Sequence, residues 1–210
     1  MLKRVFDLIL VLGTLPIWSC ILIVASFAAW FDLKAFPFFF QKRGGKNGEV
    51  ITIFKLKTMT DEKDEYGNLL DDKYRITRIG NMFRKLSLDE LPSLINILKG
   101  DMSLIGPRPF LKEYLPLYTK EQNRRHEILP GLTGWAQVNG RNSLSWEERF
   151  KLDVWYVDNY SFWLDVKILF KTVKKVLIKD GISADGEVTM SKFTGSKVME
   201  NSYEIEGKHE

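Results

Sequence analysis

LILVLGTLPIWSCILIVASFAAWF, residues 8–31, is a run of 24 positions without an Asp, Glu, Lys or Arg. A helix of about 20 apolar residues crosses a hydrocarbon core of roughly 30 Å, so this run is long enough to hold the chain in a bilayer. It is not a plain span, because Pro16, Ser19 and Cys20 lie near its middle and an interior proline removes a backbone hydrogen bond and kinks a helix. Lys3 and Arg4 precede the run, and Lys34, Lys42 and Arg43 follow it, so the distribution of positive charge puts both ends on the cytoplasmic side. The preferred reading is a bent helix that enters the cytoplasmic leaflet and returns, with the freed backbone groups met by Ser19 or by protein neighbours. A simple tilted span is the alternative. A cleaved signal peptide fits poorly: the apolar stretch is too long, and no small-x-small site comes before Trp30 and Phe31.

Beyond the anchor, about 150 residues precede a polar end, enough for one compact domain. The single cysteine, Cys20, lies in the apolar run, which excludes disulfides and cysteine metal sites and suits a reducing compartment. His126 and His209 are the only histidines, so histidine triads and zinc clusters have little support. Any metal is expected to be a hard cation on oxygen ligands, Mg²⁺ first. A net charge of +4 and a pI near 9.0 favour polyanionic partners, which composition alone does not divide among nucleic acid, anionic lipid and phosphorylated small molecules.

The segments 38–43 and 49–58 flank Gly44-Gly45-Lys46-Asn47-Gly48 and read as a β-hairpin. Asp61 to Asp72 is an acidic loop with the character of a lid. Thr77 to Leu98 reads as mostly helical, Gly106-Pro107-Arg108-Pro109 as a turn, and Leu111 to Leu129 as a second helical stretch ended by Pro130-Gly131. The aromatics between Trp146 and Leu177, with Lys167, Lys171, Lys174 and Lys175, suit either an aromatic core or interfacial helices, and both for different faces. Asp153, Asp158 and Asp165 are open candidates for a site, whereas His126 reads as part of a solvated helix face.

Ser87-Leu88-Asp89-Glu90-Leu91-Pro92 carries the most chemistry. Ser87 and Glu90 have capping-box spacing, but a helix start nearer Asp89 places Pro92 harmlessly in the first turn. That brings Asp89 to the helix mouth, where phosphate or Mg²⁺ also binds. Basic residues gather around this segment in sequence: Lys55, Lys57, Arg75, Arg78, Arg84, Lys85 and Arg108. Arg108 stands out because flanking prolines restrict its backbone, so its fork is presented with little lost freedom.

Five strings in order, with Lys3-Arg4-Val5-Phe6-Asp7 before them and Ser191-Lys192-Phe193-Thr194-Gly195 after, resemble the bacterial sugar transferase family, the small monotopic phosphoglycosyl transferases. They are residues 54–59, 86–92, 98–103, 106–109 and 130–142. The resemblance implies a mainly α fold with a small β-hairpin. A re-entrant or spanning membrane helix (1–37) would lead into one compact cytoplasmic catalytic domain with interfacial helices (38–180), then a polar tail (181–210). It implies transfer of sugar 1-phosphate from a UDP-sugar to undecaprenyl phosphate at the bacterial inner membrane, with release of UMP and with Mg²⁺. An N-acetylated sugar is the expected cargo, a bilayer the expected partner and nucleic acid not; the oligomeric state stays open. By the same resemblance Asp89 is the nucleophile and a Mg²⁺ contact, Glu90 assists with metal or proton, and Lys57, Arg84 and Arg108 hold phosphates. This chain departs from the family in having Ser19-Cys20 where the bend usually carries Ser-Pro, with Pro16 nearby instead, which would move the bend by one turn. Leu56 stands where an aromatic is common. A membrane-tethered anion-binding module without catalysis and a structural scaffold are the competing readings.

Overall fold

The computed structural model describes residues 2–140, 143–178 and 192–196. Two helices open the chain, α1 (Leu2–Gly13) and α2 (Leu15–Leu33), parted at Thr14. Pro16 lies in the first turn of α2, where a missing N–H leaves no intrahelical bond unmade. The break therefore falls about one turn ahead of Ser19-Cys20, as the displaced proline implied. Two side chains satisfy carbonyls at the end of α1: Thr14 Oγ1 donates to Leu10 O (2.6 Å) and the Trp18 indole to Val11 O (2.9 Å). Ser19 instead donates to Pro16 O.

The charged start of α1 is docked, not free. Lys3 Nζ reaches Asp165 (2.5 Å) and the Tyr156 hydroxyl (3.1 Å). Arg4 donates to the carbonyls of Ile97 and Leu98 at the end of helix α5 (Ser93–Lys99), a cationic C-terminal cap. Asp7 is buried and accepts from Ser103 Oγ (2.8 Å) and Leu104 N (3.3 Å). On α2, Trp18, Leu22, Ala25 and Ala29 recur at helical spacing and face inward. Trp18 joins Val11, Ile53, Leu94, Ile97 and Met102, while Ala25 and Ala29 pack on Leu56 and Phe83. Ile17, Ile21, Val24, Phe27 and Phe31 on the same helix are exposed. Helix α2 thus rests on the rest of the chain along its length and turns an apolar face outward.

The hairpin forms as expected: β1 (Phe38–Gly44) pairs antiparallel with β2 (Val50–Leu56), with Phe38 opposite Leu56 and Gly44 opposite Val50. Residues 72–75 form a short helix α3 and Arg78–Lys85 helix α4. The stretch Thr77–Leu98, expected to be mostly helical with a helix start near Asp89, divides after α4: Ser87 takes a left-handed conformation (φ 55°), and Leu88–Glu90 is a 3₁₀ turn. Pro92 then occupies the N-cap position of α5. A second, parallel pair, β3 (Ser103–Ile105) and β4 (Gly131–Thr133), was not anticipated. Strands of three residues show no periodicity to read.

The helix expected over Leu111–Leu129 is also absent. Lys112–Leu117, with Pro116 inside it, is 3₁₀; α6 (Lys120–Asn123) is one turn behind a Thr119–Gln122 capping box; Arg124–His126 is a further 3₁₀ turn. Helix α7 (Trp135–Asn139) follows, then α8 (Trp146–Asn159) behind a Ser145–Glu148 capping box, and α9 (Phe162–Ile178). The aromatics of this region divide by face. Phe150 and Tyr156 are buried, and Trp155, Tyr160, Phe162 and Trp163 are exposed. Much of the expected polar tail, like Arg141 and Asn142, lies outside the described residues. Residues 192–196 are described, and there Phe193 is buried among Phe110, Tyr114 and Phe150. His126 corrects the solvated reading: it is buried, its Nδ1 lies 2.8 Å from Gly45 O, and burial beside Arg125 lowers its pKa to about 4.

Candidate active site

Asp89 and Glu90 sit on the 3₁₀ turn that joins α4 to α5, so consecutive carboxylates leave the backbone in different directions. Glu90 is gripped: Lys55 Nζ from β2 lies 2.7 Å from Oε1, and the Arg108 fork reaches Oε1 at 2.5 Å and Oε2 at 3.4 Å. These contacts replace the capping box read from sequence, since Ser87 makes no capping hydrogen bond. Burial opposes ionisation of Glu90, but Arg108 and Lys55 outweigh it and hold the carboxyl well below the usual range. Bound on both oxygens, Glu90 behaves as a fixed negative charge and not as a proton carrier.

Asp89 is in the opposite situation. Among the described residues no hydrogen-bond donor is placed on its carboxylate. Burial and the neighbouring Glu90 charge push it up to about 6, only partly offset by Lys55, Arg84 and Arg108. Arg84 projects from α4 with Nε on Thr58 Oγ1 (3.0 Å). Its own pKa is lowered by burial, against the pull of Asp89.

Four of the five expected residues, Asp89, Glu90, Arg84 and Arg108, therefore act on one another. Lys57 does not join them: it pairs with Asp61 at the start of the acidic loop and is not among the charges that perturb Asp89. Lys55 takes the place on the dyad. Lys55 lies in β2 and Lys57 just past its end, and nothing in their sequence separates them until the position of Glu90 is known. Sequence reasoning also missed Arg43 as a site residue. It lines a pocket together with Lys55, Glu90, Ser93, Met102 and Arg108, and burial followed by the repulsion of Arg108 lowers its pKa to about 10. The open aspartates are engaged elsewhere, Asp153 with Arg125, Asp158 with Arg124 and Asp165 with Lys3.

The turn bearing Arg108 is held by backbone contact. Gly106 N donates to Thr133 O (2.9 Å), and Gly131 N to Pro107 O (2.9 Å). A Cβ on Gly106 would fall 2.4 Å from Leu129 O, and one on Gly134 would fall 2.0 Å from Gly106 O. The two glycine-containing strings are thus halves of one clasp, which only residues without a side chain allow.

No group of three or more His, Cys, Asp or Glu suited to a metal occurs among the described residues. The donor set still fits Mg²⁺ of the kind held by one carboxylate, waters and substrate phosphates, and Asp89 would be that carboxylate.

A family described as bacterial sugar transferase matches residues 1–179, and the chain belongs to that family. It is 54% identical over 195 residues to the uncharacterized sugar transferase EpsL of Bacillus subtilis (strain 168), covering 93% of this chain and 96% of that one. It is 35% identical over 184 residues to the UDP-N-acetylgalactosamine-undecaprenyl-phosphate N-acetylgalactosaminephosphotransferase of Aeromonas hydrophila, covering 84% and 44%. Likeness to the undecaprenyl-phosphate galactose phosphotransferase of Salmonella typhimurium is 36% over 197 residues, covering 86% and 41%. The chain spans less than half the length of these last two proteins.

Proposed function

We propose that this protein transfers sugar 1-phosphate from a UDP-sugar to undecaprenyl phosphate, releasing UMP, as a membrane step of bacterial surface polysaccharide assembly. The observation that carries the reading is the division of two adjacent carboxylates, Glu90 clamped by Lys55 and Arg108 and Asp89 without a donor among the described residues. A carboxylate held near pH 6 is ionised at neutral pH, yet more basic than an ordinary aspartate, which suits a nucleophile. An Asp89 oxygen attacks the β-phosphorus, the bond from that phosphorus to the UMP oxygen breaks, and UMP leaves. An oxygen of the polyprenyl phosphate then attacks the same phosphorus and releases Asp89. Arg84 and Arg108 face phosphate charge during both displacements. Mg²⁺, held by Asp89 and substrate phosphates, would supply further neutralisation of the diphosphate.

Placement at the cytoplasmic face of the inner membrane is part of the same proposal. Positive residues flank the apolar helix on both sides, and α2 lies along the domain with an apolar face outward. The relatives' names carry N-acetylgalactosamine and galactose, so these two head the donor panel, followed by other N-acetylated sugars.

The test is nucleotide release by purified protein in nanodiscs with Mg²⁺, undecaprenyl phosphate and UDP-sugars, with Asp89→Asn as control. UMP release that requires Asp89 supports the proposal. UDP release would point to ordinary glycosyl transfer, and binding without turnover across the panel would favour an anion-binding module.

A further inference from the structure

Four successive backbone carbonyls around Arg108 receive donors from three other parts of the chain. Pro107 O accepts from Gly131 N (2.9 Å), Arg108 O from Arg125 Nη2 (2.6 Å), Pro109 O from Arg43 Nη1 (3.3 Å) and Phe110 O from Gly44 N (2.9 Å). The contact to Arg108 itself thus comes from a side chain, and that side chain is unusual. Arg125 is 2% exposed, its Nε and Nη2 lie 3.1 and 2.7 Å from Asp153 Oδ2, and its guanidinium stands 4.3 Å from the Phe110 ring centroid. Asp153 is 1% exposed and its Oδ1 has no partner among the described residues, where its other oxygen is spent on Arg125. Next door in sequence, Arg124 makes ordinary surface pairs with Glu121 and Asp158.

A buried ion pair adds little net stability compared with apolar residues of the same volume. What this pair does supply is direction. One rigid fork meets Asp153 on one side and the Arg108 carbonyl on the other, fixing the peptide from which the Arg108 side chain departs toward Glu90. We infer that Arg125, oriented by Asp153, is the positioning residue for Arg108. The inference rests on the phosphate-holding role proposed for Arg108. Lysine cannot replace Arg125 here, because a point charge does not span both acceptors in one plane.

The experiment combines turnover with hydrogen exchange on the full chain in nanodiscs. Arg125→Lys is expected to lower the rate of UMP release by about tenfold to hundredfold, the scale of a small misplacement of a reacting group. In an Arg108→Ala background the same substitution is expected to have no further effect, as for residues that act through one another. Exchange at the amides of Gly44, Gly106 and Gly131 should quicken in Arg125→Lys while the amides of α5 keep their rates. Asp153→Asn, which leaves an acceptor for Arg125, serves if Arg125→Lys does not fold and should give the same pattern more weakly. Equal losses with and without Arg108, or exchange that changes everywhere or nowhere, would overturn the inference. If Arg108→Ala alone turned over normally, the phosphate-holding role would fall, and the local exchange pattern would still decide whether Arg125 positions the turn.

Discussion

Asp89 is held above its unfolded value of 3.8, at about 6, by burial and by Glu90. The native state therefore binds its proton more tightly, and stability falls as pH rises from about 4 to about 6 and stays at that lower level above. Asp89→Asn removes the titrating charge at nearly constant shape. It is expected to abolish turnover yet melt higher than the parent at pH 8, by the order of 1 kcal/mol, with the gap closing at pH 4.5; thermal melts at the two pH values measure it. For the same reason kcat/KM for the donor should rise with pH through about 6 and then level off, reporting the free enzyme. A profile flat from pH 5 to 8 would remove Asp89 as the titrating nucleophile. Arg108→Lys should already lower turnover about tenfold, because the bidentate hold on Glu90 is lost. Sequence made the dyad and Arg108 legible through residue type and flanking prolines. Which lysine would meet Glu90 was not legible, since that depends on where the 3₁₀ turn aims the side chain.

At the scale of elements, the inward stripe of α2 tolerates only small residues where it crosses β2 and α4. Ala29 is 1% exposed against Leu56 and Phe83, so Ala29→Leu should cost about 1–3 kcal/mol by overpacking, seen as a lower melting temperature in detergent. Phe27→Ala, on the exposed face, should leave that temperature unchanged and weaken partition into liposomes. The apolar helix and the hairpin could be read in advance because a long uncharged run and a glycine-rich turn followed by a β-branched segment are local signals. Pro92 pointed to a new helix start near Asp89, but the left-handed turn at Ser87 ahead of it could not be read. A serine in a left-handed conformation is uncommon, so residue type gives no signal for it. Likewise Gly106 and Gly131 read separately as turn residues, although the reason they share with Gly134 is a close approach between segments far apart in the chain.

For the whole molecule, the division at residue 37 is a boundary of composition more than of packing. Val11 and Trp18 share a core with Ile53, Leu94 and Met102, and Lys3, Arg4 and Asp7 are bonded to α9, α5 and β3. Removing residues 1–33 should therefore do more than release a soluble enzyme. The remaining chain is expected to lose its cooperative thermal transition and its near-UV circular dichroism, whereas simple detachment would preserve both. A further consequence follows from Leu88, which packs against the Ala25 and Ala29 cluster one residue before the proposed nucleophile. With the outward face of α2 in the bilayer, as proposed, Asp89 is held at a set height by the packing of α2 against Ile53, Leu56, Phe83 and Leu88, not by a flexible tether. Under the proposed reaction a lipid phosphate arrives by lateral diffusion at a fixed depth. The quantity that governs its supply is then molecules per unit area of leaflet, so diluting the carrier lipid in the bilayer should slow the second displacement even when its bulk concentration is held constant.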